Sequence, residues 1–333
     1  MTAYGAGEDT TIAGMGAGTL QPAVQTPRRR SRRPSLFKSR RGELSLARQL
    51  GYQVLVILIL FTVMFPVMWV FSLSLDPLNR SRPDGLNLIP QNATLEAYRQ
   101  VIAQPTNNPI SFWELALNSL KIAVSTSIIS VLIGVLAAYS FARFKFRGRE
   151  FLMLAILGVL MLPAVATLTP LFVLLNKVQV DLPIIGAFNL RASLMGVALA
   201  ILSGLLPFAI WNLKGYLDTI PRELEEAAWV DGANTNQTFV KIILPLAMPA
   251  LAVTGFLGFI GGWTEFYFSW MFLINPQDQT LAMSLYAMQG QFASTPWSQF
   301  SAFAILFAIP PAVVYFFAQK YITSGLAVGG VKG

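Results

Sequence analysis

The chain has 333 residues, of which 54% are hydrophobic and 12% are charged, and its formal net charge is +8 at pH 7. Soluble domains carry about 25% charged residues, so this composition predicts an all-α protein that crosses a membrane several times. The chain contains neither cysteine nor histidine. It therefore lacks disulfides, thiolate chemistry, the commonest metal ligand and the commonest general base, and we expect no metal site and no catalytic residue.

The first 45 residues are predicted to be a disordered, basic, cytosolic extension. Residues 1–27 are rich in Gly, Ala and Thr without an apolar period, and a basic cluster follows at Arg28–Arg41. We interpret this cluster as an anchor that orients the protein and contacts anionic membrane lipid, not nucleic acid. A stretch at 31–38 is similar to a twin-arginine export signal, but the apolar segment after it is too long and has no cleavage site.

Six apolar spans are predicted, each long enough to cross about 30 Å of hydrocarbon as a helix. They lie at about 51–75, 117–141, 151–175, 192–213, 246–274 and 300–322. Loop 142–150 carries four basic residues and loop 276–299 carries none, so the positive-inside rule places both termini in the cytosol. We therefore predict a transmembrane domain over 46–322 and a cytosolic tail over 323–333.

A polar loop at about 218–245 joins the fourth and fifth spans. Pro221 suits the first turn of a helix, Gly232 can adopt the left-handed conformation that ends one, and Asn234 with Gln237 resembles a capping box that opens another. One face of the first helix would carry Leu224, Ala227, Ala228 and Asp231, where two alanines allow another backbone to approach. The pattern predicts a helix–turn–helix, either a docking surface or a solvated connector.

The amino-acid sequence of this loop resembles the EAA motif of ABC-importer permeases. The matching positions are Glu226, Ala227, Ala228, Gly232, Ile242, Leu244 and Pro245. The closing run QKYITSGLAVGGVKG at 319–333, together with 212–221 and 297–302, resembles the carbohydrate-uptake branch that imports maltose and trehalose. The resemblance extends from about Leu46 to the end of the chain.

The resemblance implies the type I importer fold and the role of a permease subunit in the bacterial cytoplasmic (inner) membrane. Such a subunit forms half of a sugar pathway in a heterodimer with a second permease. A periplasmic or lipid-anchored binding protein delivers maltose, maltodextrin or trehalose; the particular sugar stays open. The chain has no GxxxxGK[ST] phosphate loop, so ATP and Mg are expected on a separate dimeric ATPase, and the chain itself is not expected to be an enzyme.

The resemblance also implies roles for particular residues. Coupling to the ATPase falls on Glu226, Ala227, Ala228, Asp231, Gly232 and Ala233, with Glu226 pairing with a basic group. Contact of the tail with the ATPase falls on Gly329, Gly330 and Lys332. The outer loop 275–299 corresponds to one that probes the binding protein, and its candidate residues are Tyr286, Gln289 and Gln291.

Glu265 is a carboxylate inside the predicted fifth span, and an intramembrane carboxylate indicates a functional site. It could bond sugar hydroxyls in a wet cavity or pair with a neighbouring helix. Trp263 and Tyr267 beside it could stack on sugar rings or belong to an aromatic belt. The rival class is a secondary transporter or channel without an ATPase partner. It predicts an internal repeat, which is not evident, and leaves the loop unexplained.

Overall fold

The computed structural model describes residues 46–78, 90, 92–182, 186–289 and 295–329. The predicted extension at 1–45 and the candidate residues Gln291, Gly330 and Lys332 lie outside the described residues. The chain divides into two units, Met1–Phe61 and Thr62–Gly333, and the first described helix runs from one into the other.

The described part of the chain is helical apart from one short hairpin. The helices are α1 (Leu46–Ser74), α2 (Glu96–Ala103), α3 (Phe112–Arg143), α4 (Arg149–Leu160), α5 (Ala164–Asn176), α6 (Leu194–Leu217), α7 (Glu223–Val230), α8 (Thr235–Thr238), α9 (Leu244–Trp263), α10 (Tyr267–Phe272), α11 (Leu281–Ala287) and α12 (Trp297–Gly329). A π-helical segment, Phe239–Ile243, joins α8 to α9, and a 3-10 turn, Pro276–Asp278, precedes α11. The antiparallel strands β1 (Gln179–Leu182) and β2 (Gly186–Asn189) form the hairpin, a small departure from the predicted all-α class.

Five helical segments of the described chain are long and apolar enough to cross a membrane: α1, α3, α6, Thr235–Trp263 and Trp297–Ile322. The predicted third span is broken, because α4 and α5 meet at 108° around Pro163. A proline disfavours helical geometry in the residue before it, so a continuous helix ends there. The described residues thus contain five such spans, or six if α4 and α5 are counted as one bent span.

Two other boundaries differ from the prediction. The fifth span was expected to be continuous over 246–274, but its helix begins at Thr235 inside the polar loop and ends at Trp263. The separate helix α10 follows because the side chain of Glu265 caps its first amides. The last helix was expected to end at 322, but it continues to Gly329, and residues 323–329 contain no proline that would end it.

Close packing joins α3 to α9. A Cβ atom at Gly262 would lie 2.3 Å from Thr126 Oγ1 and 2.7 Å from Ala123 Cα, so only glycine fits there. Hydrogen bonds cross the same interface, from Thr126 Oγ1 to the Gly258 carbonyl at 3.0 Å and from Ser127 Oγ to the Gly255 carbonyl at 2.7 Å. Small residues spaced four apart are the usual means by which membrane helices approach this closely.

The π-helical segment lies where the polar loop enters the fifth span. The Leu244 amide donates to the Phe239 carbonyl, five residues back. Pro245 offers a physical reason, since it has no amide hydrogen and its ring would crowd the Lys241 carbonyl in a regular α-helix. A wider turn relieves that crowding at the cost of one α-helical hydrogen bond.

The two ends of the Thr62–Gly333 unit hold different loops. At one end, Arg143 contacts Glu225, so loops 142–150 and 218–245 lie together. At the opposite end of α3, Asn118 Nδ2 donates to the carbonyl oxygens of Gln277 and Gln279 at 2.7 and 3.0 Å. The basic loop 142–150 and the loop that carries Arg222 and Lys241 therefore share one end, whereas loop 276–299 at the other end has no Lys or Arg, as the positive-inside rule requires.

Reporter fusions test this orientation. We expect fusions at Phe146 and Gly232 to report a cytosolic location, because Phe146 lies in the basic loop 142–150 and Gly232 lies in the loop packed beside it. Fusions at Leu95 and Met288 should report an external location. The measurement is the paired activity of an alkaline phosphatase and a fluorescent-protein reporter at each position. An external signal at Gly232 would contradict both the orientation and the role of the loop.

Candidate functional site

The polar loop folds as the predicted helix–turn–helix. Helix α7 begins just after Pro221, with Glu223, Glu225 and Glu226 in its first turn, where the helix dipole favours negative charge. Gly232 has φ +87°, and the Ala233 amide donates to the Ala228 carbonyl at 2.9 Å, which closes the helix in a Schellman-type turn.

The second half of the turn is equally well defined. Asn234 and Gln237 form a reciprocal capping box, in which each side-chain oxygen accepts the other residue's amide at 2.9 Å. These local hydrogen bonds confirm the predicted loop conformation. The loop therefore has a well-defined shape at the end of the protein that also holds the basic loop 142–150.

The solvent-facing side of α7 carries most of the predicted coupling residues. Glu226, Ala227, Asp231 and Gly232 are exposed, and Ala233 is half-buried. Ala228 is not available for docking, because it is buried against the rest of the protein. The prediction that both alanines share a docking face is therefore wrong: one faces outward and one inward.

Exposed apolar side chains complete this outer face. Leu224 and Trp229 are exposed, and Val230 is 88% exposed. All three lie in the polar loop and not in an apolar span. Large apolar groups in water beside a polar loop mark an interaction site. We call Leu224, Glu226, Ala227, Trp229 and Val230 the docking face.

The inner side of α7 is held by a buried ion pair that the sequence analysis missed. Glu225 pairs with Arg143 at the end of α3, and their side chains are 3% and 7% exposed. Tyr139 Oη donates to Glu225 Oε2 at 2.9 Å. Adjacent glutamates on a helix point about 100° apart, so the Glu225–Glu226 pair was a signal that one of them faces inward.

Backbone contacts strengthen this anchor. Arg143 Nη2 donates to the Ile220 carbonyl at 3.0 Å, and Arg222 Nη2 donates to the Ala142 carbonyl at 2.9 Å. Arg143 of α3 thus bonds to the loop, and Arg222 of the loop bonds to α3. The loop and the last turn of α3 are bound together at several points.

Glu265 has a role that neither sequence hypothesis included. Its carboxylate accepts the amides of Phe268 and Ser269 at 2.6 and 2.9 Å and the Ser269 hydroxyl at 2.6 Å. It therefore caps α10, which satisfies amides that have no partner within a helix. The spacing of Glu265 three and four residues before these amides could have indicated a cap.

The predicted aromatic partners of Glu265 separate into two environments. Trp263 is only 2% exposed, stacks on Phe259 with ring centroids 5.8 Å apart, and donates to the Phe307 carbonyl at 3.0 Å. It is a core residue in this protein, so the prediction of a sugar-stacking or belt residue is wrong for Trp263. Tyr267 is exposed.

The remaining candidate residues are at the two ends. At the outer end, Tyr286 is exposed and packs its ring 4.5 Å from that of Phe266, while Gln289 is also exposed. Gly329 is the last residue of α12. Among the described residues, no cluster of three or more His, Asp or Glu is placed to hold a metal ion.

Several apolar spans joined by a folded polar loop with exposed apolar side chains define a membrane-embedded protein with a candidate docking surface outside the membrane. The chain belongs to the family of binding-protein-dependent transport system inner membrane components, whose match covers residues 130–328. Members of this family are permease subunits and not enzymes, and they lie in the inner membrane. Membership favours the importer over the secondary transporter or channel.

Similar proteins cover nearly the whole transmembrane domain. The galactooligosaccharides transport system permease protein GanQ of Bacillus subtilis (strain 168) is 33% identical over 81% of this chain and 91% of its own length. The maltose/maltodextrin permease MalG of Yersinia pestis is 34% identical over 86% and 94%. The trehalose/maltose permease MalG of Thermococcus litoralis is 33% identical over 83% and 94%.

A solved structure confirms the fold. A chain of a bacterial ABC transporter involved in the import of the acidic polysaccharide alginate superposes with a TM-score of 0.68 and 22% identity. The match covers 86% of this chain and 99% of that one. The predicted ABC-importer permease fold is therefore confirmed.

Proposed function

We propose that this chain is the transmembrane permease subunit of an ATP-driven sugar importer, carrying a sugar of the maltose, maltodextrin or trehalose type. The observation that carries the proposal is the docking face, which presents Glu226 between exposed apolar side chains on a rigid helix. The relatives named for maltose, trehalose and galactooligosaccharides support a neutral carbohydrate as the cargo.

The docking face suits a cleft on an ATPase. Leu224, Trp229 and Val230 supply apolar area, and Glu226 supplies a charge that a basic group of the partner can pair with. The chain has no phosphate-binding loop of its own. ATP and Mg²⁺ accordingly bind on the partner ATPase dimer, and this chain receives the resulting motion.

The apolar surface supports a second permease and lipid as membrane partners. Consecutive side chains of α1, from Val54 to Phe61, are exposed around the whole helix. A helix that is apolar all round needs cover from lipid or from another protein. A heterodimer with a second permease supplies that cover and the other half of the pathway.

The outer end supports contact with a sugar-binding protein. Tyr286 is exposed on α11 and Gln289 is exposed just after it, and Tyr267 and Trp270 are exposed on α10. Aromatic and amide side chains of this kind combine apolar contact with hydrogen bonding. In the tail, Gly329, Gly330 and Lys332 stay candidates for contact with the ATPase.

The test is ATP hydrolysis by the purified complex. The chain is co-expressed with its ATPase, second permease and binding protein, reconstituted, and assayed with maltose, maltotriose, trehalose and, as a control, alginate oligosaccharide. We expect one neutral sugar to raise hydrolysis at least several-fold, and only when the binding protein is present. Uptake driven by an ion gradient without ATP would instead establish the secondary-transporter alternative.

A further inference from the structure

We propose that Tyr139, Arg143 and Glu225 form a positioning cluster that makes the docking loop move with α3. The inference rests on the proposed function, since it concerns how force from the ATPase reaches the membrane. The cluster lies behind α7, on the side opposite the docking face. Its members contact the loop and α3, and none of them belongs to the docking face.

The cluster is buried and its charges are matched. The Glu225 carboxylate receives the Arg143 guanidinium on one oxygen and the Tyr139 hydroxyl on the other. Both charged side chains are more than nine-tenths buried. A buried carboxylate with both oxygens satisfied is held in one position, because any displacement would leave a charge unpaired away from water.

The contacts fix both halves of the loop. Arg143 also holds the Ile220 carbonyl, and Arg222 holds the Ala142 carbonyl from the opposite direction, which secures the entry to α7. The ring of Tyr139 packs 4.8 Å from that of Phe239, which secures the segment that leaves the turn. The side chain of Tyr139 therefore touches both the beginning and the end of the helix–turn–helix.

The connection continues from α3 into α9. The helices approach so closely at Gly258 and Gly262 that no side chain fits between them, and the Thr126 and Ser127 hydroxyls bond across the interface. A displacement applied to the docking face is thus passed to α3 through the cluster and to α9 through close packing. A double-mutant cycle on Arg143 and Glu225 measures how strongly the loop is coupled to α3.

The experiment compares Arg143→Met, Glu225→Leu and the double variant in the reconstituted complex. Radiolabelled maltose and trehalose are the transported probes, and the quantity measured is sugar transported per ATP hydrolysed. The single variants each leave one buried charge unpaired and should lower the melting temperature. The double variant should regain melting temperature and ATPase co-purification, because no charge remains unpaired, yet transport per ATP should stay at least about fivefold below wild type.

Two further variants keep the test decisive. Tyr139→Phe retains the ring packed on Phe239 and removes one hydrogen bond, so it should fold normally and reduce transport per ATP by about half. Lys214→Gln is the control, since the ion pair of Lys214 with Asp218 joins neighbouring turns at the end of α6 and not the loop to α3.

Wild-type transport per ATP in the double variant or in Tyr139→Phe would overturn the positioning role. An equal loss in Lys214→Gln would also overturn it, since removal of a charged contact would then act non-specifically. The proposed function fails in a different way, namely when the wild-type complex shows no sugar-stimulated hydrolysis at all.

Discussion

Replacing Glu226 by lysine should abolish assembly with the ATPase and leave membrane insertion unchanged. Glu226 is exposed on the docking face, so the substitution puts no charge into the core. At an interface, a like-charge contact costs several kcal/mol, and each 1.4 kcal/mol is about a tenfold loss of affinity. We expect co-purification of a tagged ATPase to fall at least about a hundredfold. Asp278→Lys, at the opposite end of the bundle, is the charge-reversal control.

Gly232→Pro should also abolish assembly with the ATPase, because it changes the shape of the loop and not its charge. Gly232 has φ +87°, whereas proline fixes φ near −65°, so the Schellman-type turn cannot form and α7 loses its orientation. Gly148 is a matched control, because its φ is +86° and a side chain there would also meet open space. Gly148→Pro applies comparable strain to a different loop. Normal ATPase assembly in both loop variants, Glu226→Lys and Gly232→Pro, would refute the docking role of the loop.

Gly262→Ala should destabilise the membrane domain markedly although it adds one methyl group. The new Cβ would lie 2.7 Å from the Ala123 Cα, which is backbone and cannot rotate away. Overpacking of this kind costs about 1–3 kcal/mol, and Gly262→Val should cost more and reduce the amount of protein in the membrane. The measurement is the thermal unfolding midpoint in detergent, followed by intrinsic tryptophan fluorescence.

The neighbouring residue supplies the control for that prediction. A Cβ atom at Gly261 would meet nothing within 4 Å. Alanine is also favoured over glycine in a helix by about 1 kcal/mol, so Gly261→Ala should melt at the wild-type temperature or above it. Equal midpoints for the Gly261 and Gly262 variants would show that α3 and α9 do not pack as closely as described.

The features that could be predicted from sequence are those with local causes. Apolar length predicts the spans, and the spacing of Gly232, Asn234 and Gln237 predicts the turn, because each involves hydrogen bonds between residues a few positions apart. The Arg143–Glu225 pair could not be predicted in this way. Its members are separated by two spans in the sequence. Arg143 is also one of four basic residues in loop 142–150, so the sequence alone attributes it to the positive-inside pattern.

Glu265 and Trp263 show a second limit. A carboxylate and an indole in a long apolar run suggest a ligand site if the run is one continuous helix. The sequence does not reveal that the helix breaks there, because no proline marks the break. Only the folded chain reveals that the carboxylate closes the start of α10 and that the indole fills the core against Phe307. Candidate pathway residues chosen by polarity alone therefore include groups that serve the backbone.

The π-helical segment Phe239–Ile243 changes how the faces of the fifth span must be assigned. One extra residue in a helical turn advances every later side chain by about 100° around the axis. A helical wheel drawn from Thr235 through Trp263 therefore rotates its second half away from its true orientation. The residues of α9 that face α3, Gly258 and Gly262 among them, keep a regular spacing with one another, but their angle relative to the residues of α8 is shifted. Periodicity carried across from the docking loop would place that stripe about 100° away from the face that packs on α3.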